Sequence, residues 1–215
     1  MLLLAGSVLL AIGLGYLTGG RLKNLGNFVL KWWPLAIAGL LLQLVPYPES
    51  FPDWVAIAAL LASFAMLLVF AWVNRQKAGF VLILFGLALN TLVIAVNQGM
   101  PVSREALVNS DQEDLLEYLI EHGGAKHHLA TEDDKLLALG DVIGIPNPIG
   151  QAISIGDVCV YLGLILAIAG AMRERSPARE PAPPPEPGPP PEDPSDRLRP
   201  PSLPEPTNRG RPPTP

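Results

Sequence analysis

The sequence predicts an all-α membrane protein, built as a bundle of five transmembrane helices with a partly helical extracytoplasmic loop and a disordered, Pro-rich tail. The first observation is five long apolar runs, each near the roughly 17–25 residues that a helix needs to cross a bilayer. The second is that basic residues flank these runs on alternate sides only. The third is a change of composition after residue 172, where 17 of the 24 prolines lie.

The five apolar runs carry the fold prediction. The 215-residue chain is 49% hydrophobic with a mean hydropathy of +0.33, and the runs contain almost no interior charge. Lipid therefore suits them better as a solvent than a single soluble core does. The first run has no basic residue before it, so it is interpreted as a retained helix and not as a cleaved signal peptide. The predicted spans, which form a transmembrane domain over residues 1–172, are 2–17, 30–45, 54–73, 80–96 and 155–172.

Basic residues predict the orientation of these spans. They lie between spans one and two, between spans three and four, and after span five, whereas the loop over residues 98–153 holds ten acidic residues and three basic ones. The positive-inside rule then places the amino terminus outside, loop 98–153 outside and the tail in the cytoplasm. The basic residues concerned are Arg21, Lys23, Lys31, Arg75, Lys77, Arg173, Arg175 and Arg179.

Small and polar side chains within the spans predict helix contacts, because helices in lipid approach closely only through small residues. Asn90 and Asn97 share a face of span four, where each requires an interhelical hydrogen bond or contacts a substrate. Gln43 is a candidate partner for Asn97. One of the glycine stripes could also join two copies of the chain. The stripes are Ala11, Gly15 and Gly19; Ala58, Ala62 and Ala65; and Gly163, Ala167 and Ala171.

The loop over residues 98–153 is too patterned for a simple connector. Residues 110–113 form a capping-box pattern before an amphipathic helix that Gly123 ends, and this helix is expected to pack on protein. Residues 131–134 form a second such pattern, with Gly140 as the end of its helix. Ser154 and Asp157 form a third, which begins the last span and explains its single acidic residue.

Three histidines make the most metal-like cluster, but their spacing matches no zinc motif. We therefore predict neither a metal site nor another cofactor, and we expect His127 or His128 to bond an acid such as Asp141. The weak metal candidates are His122, His127 and His128.

Four motifs carry a resemblance to a known family: Asn97-Gln-Gly-Met-Pro-Val-Ser103, Lys126-His-His-Leu129, Leu139-Gly-Asp-Val-Ile143 and Ser154-Ile-Gly-Asp157. Residues 1–173 resemble a family of small bacterial integral membrane proteins of unknown function, with Gln98 where glycine is usual. The resemblance implies a bacterial cell membrane and a multi-helix fold, and it implies no activity. By the predicted topology all four motifs meet above spans four and five, which predicts one outward-facing polar site of Asn97, Ser103, His127, His128, Asp141 and Asp157.

Three classes of function fit this pattern, and we favour an accessory or structural membrane protein. The alternative is an enzyme acting on a lipid or cell-envelope substrate, with His127 or His128 as base and Asp141 as orienting acid. A small-molecule transporter is the third, although no ionisable residue lies near the predicted midplane. No basic patch suits nucleic acid. The tail over residues 173–215 is predicted to be either a solvated linker or a docking segment for a protein partner.

Overall fold

The computed structural model describes residues 2–46, 52–124 and 126–174, and this part of the chain is mostly helical. Two 3₁₀ turns, Leu22–Asn27 and Leu137–Leu139, and four three-residue strands accompany the helices. The strands are β1 (Met100–Val102), β2 (His127–Leu129), β3 (Ile143–Ile145) and β4 (Gln151–Ile153). The helices are α1 (Leu2–Leu17), α2 (Trp33–Leu44), α3 (Asp53–Val73), α4 (Phe80–Asn97), α5 (Arg104–Asn109), α6 (Glu113–His122) and α7 (Ile155–Arg173).

Three helices, α3, α4 and α7, are long and apolar enough to cross a membrane, which is compatible with membrane insertion. The apolar helices α1 and α2 are shorter, at 16 and 12 residues. At 1.5 Å per residue α2 reaches only about 18 Å, against about 30 Å of hydrocarbon. Its first turn contains Pro34 and follows Trp32 in a left-handed conformation, so the helix begins later than the apolar run. The prediction of five spans is therefore not confirmed.

Helices α4 and α7 pack antiparallel at the centre of the bundle through glycines spaced seven residues apart. A Cβ atom added at Gly79 would collide with the carbonyl oxygen of Gly163, and one at Gly86 with that of Gly156. The two backbones therefore touch directly, as small residues allow between helices in lipid. Helix α1 packs on α7, and α3 packs on both α4 and α2.

The predicted stripes of small residues have mixed outcomes. Gly15 of α1 packs against Met172, and Ala167 and Ala171 of α7 are buried, as predicted. Gly19 instead meets open space. The alanine stripe predicted for α3 is exposed, because that helix turns a different face, with Leu60, Phe64 and Leu67, towards the core. Its buried residues are Ala56, Leu60, Ser63, Phe64, Leu67 and Ala71.

The basic connections meet at one end of the bundle. The Arg21 amide donates to the Met172 carbonyl (2.8 Å), and the Asn74 side chain bonds both backbone groups of Lys31 (2.8 and 3.0 Å). The acidic segment between α4 and α7 lies at the opposite end. This separation of charge is the pattern on which the predicted orientation rests.

The segment between α4 and α7 forms a layer with more structure than predicted. Strand β1 pairs in parallel with β2, and β3 pairs antiparallel with β4. The amphipathic helix α6 exists, but Ser110 does not cap it; the Ser110 hydroxyl donates to the Ala106 carbonyl at the end of α5 (2.7 Å). The second predicted loop helix is only the 3₁₀ turn that ends at Gly140. In the tail, residues 175–215 lie outside the described part of the chain.

Candidate functional site

Strand β1 brings two distant residues to the same place. On one side its Met100 pairs with His127 of β2. On the other side Val102 forms a bridge to Asp141, whose amide donates to the Pro101 carbonyl (3.0 Å). The backbone therefore holds His127 and Asp141 near each other without any bond between their side chains.

A cleft of about 380 Å³ opens beside this pair. One wall is apolar and comes mainly from α5 and α6, since Leu107, Leu115 and Leu119 line it. Helix α6 turns its acidic side outward and buries Leu116 and Leu119 against protein as predicted, whereas Leu115 and Ile120 of the same apolar stripe are exposed. The residues with polar groups that line the cleft are Gln112, Tyr118, Lys126, His127, Asp141 and Gln151.

Asp141 is the least satisfied polar group of the cleft. Only 10% of its side-chain surface is exposed, and among the described residues its Oδ1 atom has no hydrogen-bond partner. Its Oδ2 atom lies 3.9 Å from His127 Nε2, too far for a hydrogen bond. Burial, and secondly the charge of Asp157, raise the pKa of Asp141 to about 8. The carboxyl group therefore carries its proton at neutral pH.

His127 is uncharged under the same conditions. Its side chain is 55% exposed, yet the desolvated surroundings of the cleft lower the pKa of the imidazole. The charge of Asp157 acts in the opposite direction, while Lys126 and His128 lower the pKa further. A neutral imidazole offers one donor and one acceptor to whatever enters the cleft.

Asp157 has a structural position at the start of α7. Its Oδ2 atom accepts from the Ser154 amide (3.1 Å), and the Ser154 hydroxyl accepts from the Asp157 amide (2.9 Å), which confirms the predicted capping box. Asn90 of α4 joins the cluster, since its Nδ2 donates to Asp157 Oδ1 (2.7 Å) and its Oδ1 accepts from Ser154 (2.9 Å). The predicted interhelical hydrogen bond of Asn90 is thus confirmed.

The other predicted site residues bond to the loop. Ser103 caps α5 by accepting from the Ala106 amide (3.0 Å). His128 Nε2 lies 2.9 Å from Asp134 Oδ1, which confirms the expected bond between one of these histidines and an acid, although the acid is Asp134 and not Asp141.

Asn97 binds both backbone groups of Lys135, each at 2.8 Å. Its proposed partner, Gln43, was wrong: Gln43 donates instead to Ser63 (3.0 Å). Of the six predicted site residues, His127 and Asp141 line the cleft, and Asp157 acts on both through its charge.

Sequence reasoning missed the apolar wall, Gln112, Gln151 and the place of Lys126. The Lys126 Nζ atom donates to the carbonyl groups of Gln43 (2.8 Å) and Val45 (3.0 Å) at the carboxyl end of α2. Its position directly before two histidines, in the motif Lys126-His-His-Leu129, was a signal that the sequence offered. Among the described residues, no three His, Cys, Asp or Glu side chains are grouped to hold a metal ion.

Fold and site together define a class of protein: a helical bundle that is compatible with membrane insertion and has, at one end, a cleft with an apolar wall and a few polar groups. The chain belongs to the family of unknown function DUF5317, whose model matches residues 27–169. It is similar to an uncharacterized protein of Thermotoga maritima, 32% identical over 163 residues that cover 74% of this chain and 85% of the relative. No solved structure matches. The resemblance to a family of unknown function is confirmed, while the four motifs stay predictions.

Proposed function

We propose that this is an accessory protein of the bacterial cell membrane that binds a small amphipathic molecule in the cleft beside Asp141. The amino terminus and residues 98–153 face outward, and the tail is cytoplasmic. The separation of basic and acidic connections to opposite ends of the bundle supports this orientation. The five apolar helices embed the chain, with α3, α4 and α7 as its full-length spans.

One observation carries the binding function: the Asp141 carboxyl group is nine-tenths buried at the end of a largely apolar cleft, and its Oδ1 atom has no hydrogen-bond partner among the described residues. Leaving a buried polar group unpaired costs on the order of 1–3 kcal/mol, and such groups in folded proteins call for an explanation. A ligand that bonds Asp141 removes this cost. The cleft volume of about 380 Å³ lies within the roughly 300–1,000 Å³ typical of small-molecule sites.

The enzyme alternative has one observation in its favour, because His127 and Asp141 present a neutral base and a protonated acid to the same cleft. The roles predicted from sequence fit less well. An acid that orients a catalytic histidine has to be ionised and hydrogen-bonded to the ring, whereas Asp141 is protonated and 3.9 Å away. We therefore prefer ligand binding to catalysis as the function of the cleft.

The transporter alternative is weaker still. It requires a polar path through the bilayer, and the two deep polar side chains are engaged within the fold. Asn90 bonds Ser154 and Asp157, and Gln43 bonds Ser63.

Native mass spectrometry of the full chain, extracted from its own membrane in a mild detergent, tests the binding function. We expect a retained small molecule on the natural protein and its loss from Ala152→Phe, which fills the cleft. The matched control is Ala58→Phe, on the exposed face of α3, which keeps the molecule. Equal retention by both variants, or no retained molecule on the natural protein, contradicts the proposal.

The orientation has its own test in intact cells. In a Cys159→Ser background, Glu132→Cys in the acidic layer should react with a membrane-impermeant maleimide, and Lys77→Cys at the basic end should not. The reverse labelling pattern would show that the cleft faces the cytoplasm.

A further inference from the structure

The cleft has an apolar wall and a polar end, and the charges at the polar end are unequal. Asp157 of α7 is held by two N–H donors, from Asn90 and Ser154. Its negative charge acts on both Asp141 and His127. Burial first, and repulsion by the charge of Asp157 second, raise the pKa of Asp141 and keep a proton on it.

Positive charge at this end is weaker. Lys126, immediately before β2, acts on His127 less than Asp157 does, and it is not among the causes acting on Asp141. Its ammonium group donates to carbonyl groups at the end of α2. Among the described residues, other titratable neighbours are His128 of β2, Tyr161 of α7 and Tyr118 of α6, which lines the cleft. The surroundings of Asp141 are therefore negative and favour a cation.

On the basis of the proposed binding function, we infer that the ligand is an alkyl amine or a similar amphiphile, with its compact cationic head against the Asp141 carboxylate. Its apolar chain lies along Leu107, Leu115 and Leu119, which line the cleft. As the ammonium enters, the proton of Asp141 passes to water, so the site exchanges one positive charge for another. The ammonium N–H groups supply the hydrogen bonds that the buried carboxyl group lacks.

Other head groups fit this end of the cleft less well. A carboxylate head would place its charge beside Asp157, and no displaced proton would compensate for it. An alcohol could accept a hydrogen bond from protonated Asp141, but it would leave the proton in place. Proton release on binding therefore distinguishes the cation from both.

Titration calorimetry of the full chain in detergent, at pH 7, tests the inference with n-hexylamine, 1-hexanol and hexanoate. Each probe is measured in two buffers of different protonation enthalpy, which gives the number of protons released. We expect hexylamine to bind at least about tenfold more tightly than the other two and to release close to one proton. Its affinity should rise about tenfold from pH 6 to pH 7 and level off above pH 8, because Asp141 no longer holds a proton there.

Two variants distinguish the contribution of the Asp141 carboxyl group to amine binding from the effect of removing any one negative charge. Asp141→Asn should bind hexylamine at least about tenfold more weakly and release no proton. Asp133→Asn, an exposed acid of the same layer, should bind it as the natural protein does. Thermal unfolding shows whether each variant is folded.

The outcomes of these experiments distinguish failure of the cationic-ligand inference from failure of the proposed binding function. Tighter binding of hexanol or hexanoate, or amine binding without proton release, overturns the cationic head and leaves a binding cleft. If none of the three probes binds, the inference is wrong, and the retained molecule in native mass spectrometry then decides the binding function by itself.

Discussion

Two carboxyl groups near the start of α7 have opposite surroundings. Both oxygens of Asp157 accept hydrogen bonds from N–H donors of the same fold, at 2.7 and 3.1 Å. Asp141, which forms a backbone bridge to Val102 of β1, has a buried oxygen without a partner among the described residues. The first group lies where α4 and α7 touch through glycine, and the second borders a cleft of about 380 Å³.

The contrast separates structural from functional polar groups. A charge whose partners all belong to the fold stabilises the fold, as Asp157 does by joining two helices. A buried group without a partner lowers stability, and its place is explained when a ligand supplies the missing bond.

The largest expected loss of stability comes from breaking the helix contact. In Gly156→Ala the new Cβ atom would collide with the side-chain oxygen of Asn90 and lie 2.8 Å from the Gly86 carbonyl oxygen. We expect a loss of about 3 kcal/mol in the free energy of unfolding, measured by thermal unfolding in detergent. Gly13→Ala on α1, whose Cβ atom would meet nothing within 4 Å, is the control. Equal stability of the two variants would mean that α4 and α7 are not in direct contact.

Removing the satisfied carboxyl group should have the next largest effect. Asp157→Ala leaves N–H donors of Asn90 and Ser154 without their acceptor, which should cost about 2 kcal/mol in unfolding free energy. Glu117→Ala, at an exposed position of α6, should change it by less than about 0.5 kcal/mol. If both variants unfold alike in denaturant, the cluster does not hold the two helices together.

Removing the unsatisfied group should have the opposite sign. The pKa of Asp141 rises from 3.8 to about 8 on folding, so the folded state binds more protons than the unfolded state between these values. This group therefore lowers stability as pH rises through that window, by at most about 1.4 kcal/mol per pH unit. Asp141→Asn should remove the slope and be more stable than the natural protein at pH 8.

Melting temperatures of both proteins from pH 5 to pH 9 measure this difference. The curves should diverge up to pH 8 and run parallel above it. Curves that stay parallel over the whole range would show that Asp141 is ionised or hydrogen-bonded in the folded protein.

The smallest expected effect on stability concerns the histidines. His122 is exposed and stacks on Tyr118, with ring centres 4.9 Å apart, so His122→Ala should change unfolding free energy by less than about 0.5 kcal/mol. It should keep the retained ligand, whereas His127→Ala should lose part of it, measured as the occupied fraction in native mass spectra. Equal ligand occupancy in both variants would show that His127 does not contribute to ligand binding.

Local patterns were enough to predict several features. The apolar runs indicate the helices, and the capping residues place the start of α7 correctly because a cap involves only neighbours in sequence. The same reasoning failed at Ser110, whose hydroxyl bonds backward to Ala106 at the end of α5. Short strands of three residues have too few positions to show a period, so β1 to β4 were not predicted.

The candidate site was predicted in part. The sequence drew attention to His127, Asp141 and Asp157 as polar residues at one predicted end of the bundle. It could not show that Asn97 bonds the backbone of Lys135, because partners 38 residues apart meet only after folding. The cap of α5 by Ser103 involves a residue only three positions away, so it was a local signal that the sequence reasoning missed.

The sequence by itself determined the helical class of the chain, the separation of its charges and the caps of its last helix, since all three depend on composition or on near neighbours. Only the tertiary structure decided which carboxyl group is satisfied. Asp157 and Asp141 are alike as residues, but pairing with β1 places Asp141 beside the cleft, while the glycine contact of α4 and α7 brings Asn90 to Asp157. Burial and partners, which set the protonation of a carboxyl group, arise from that long-range packing.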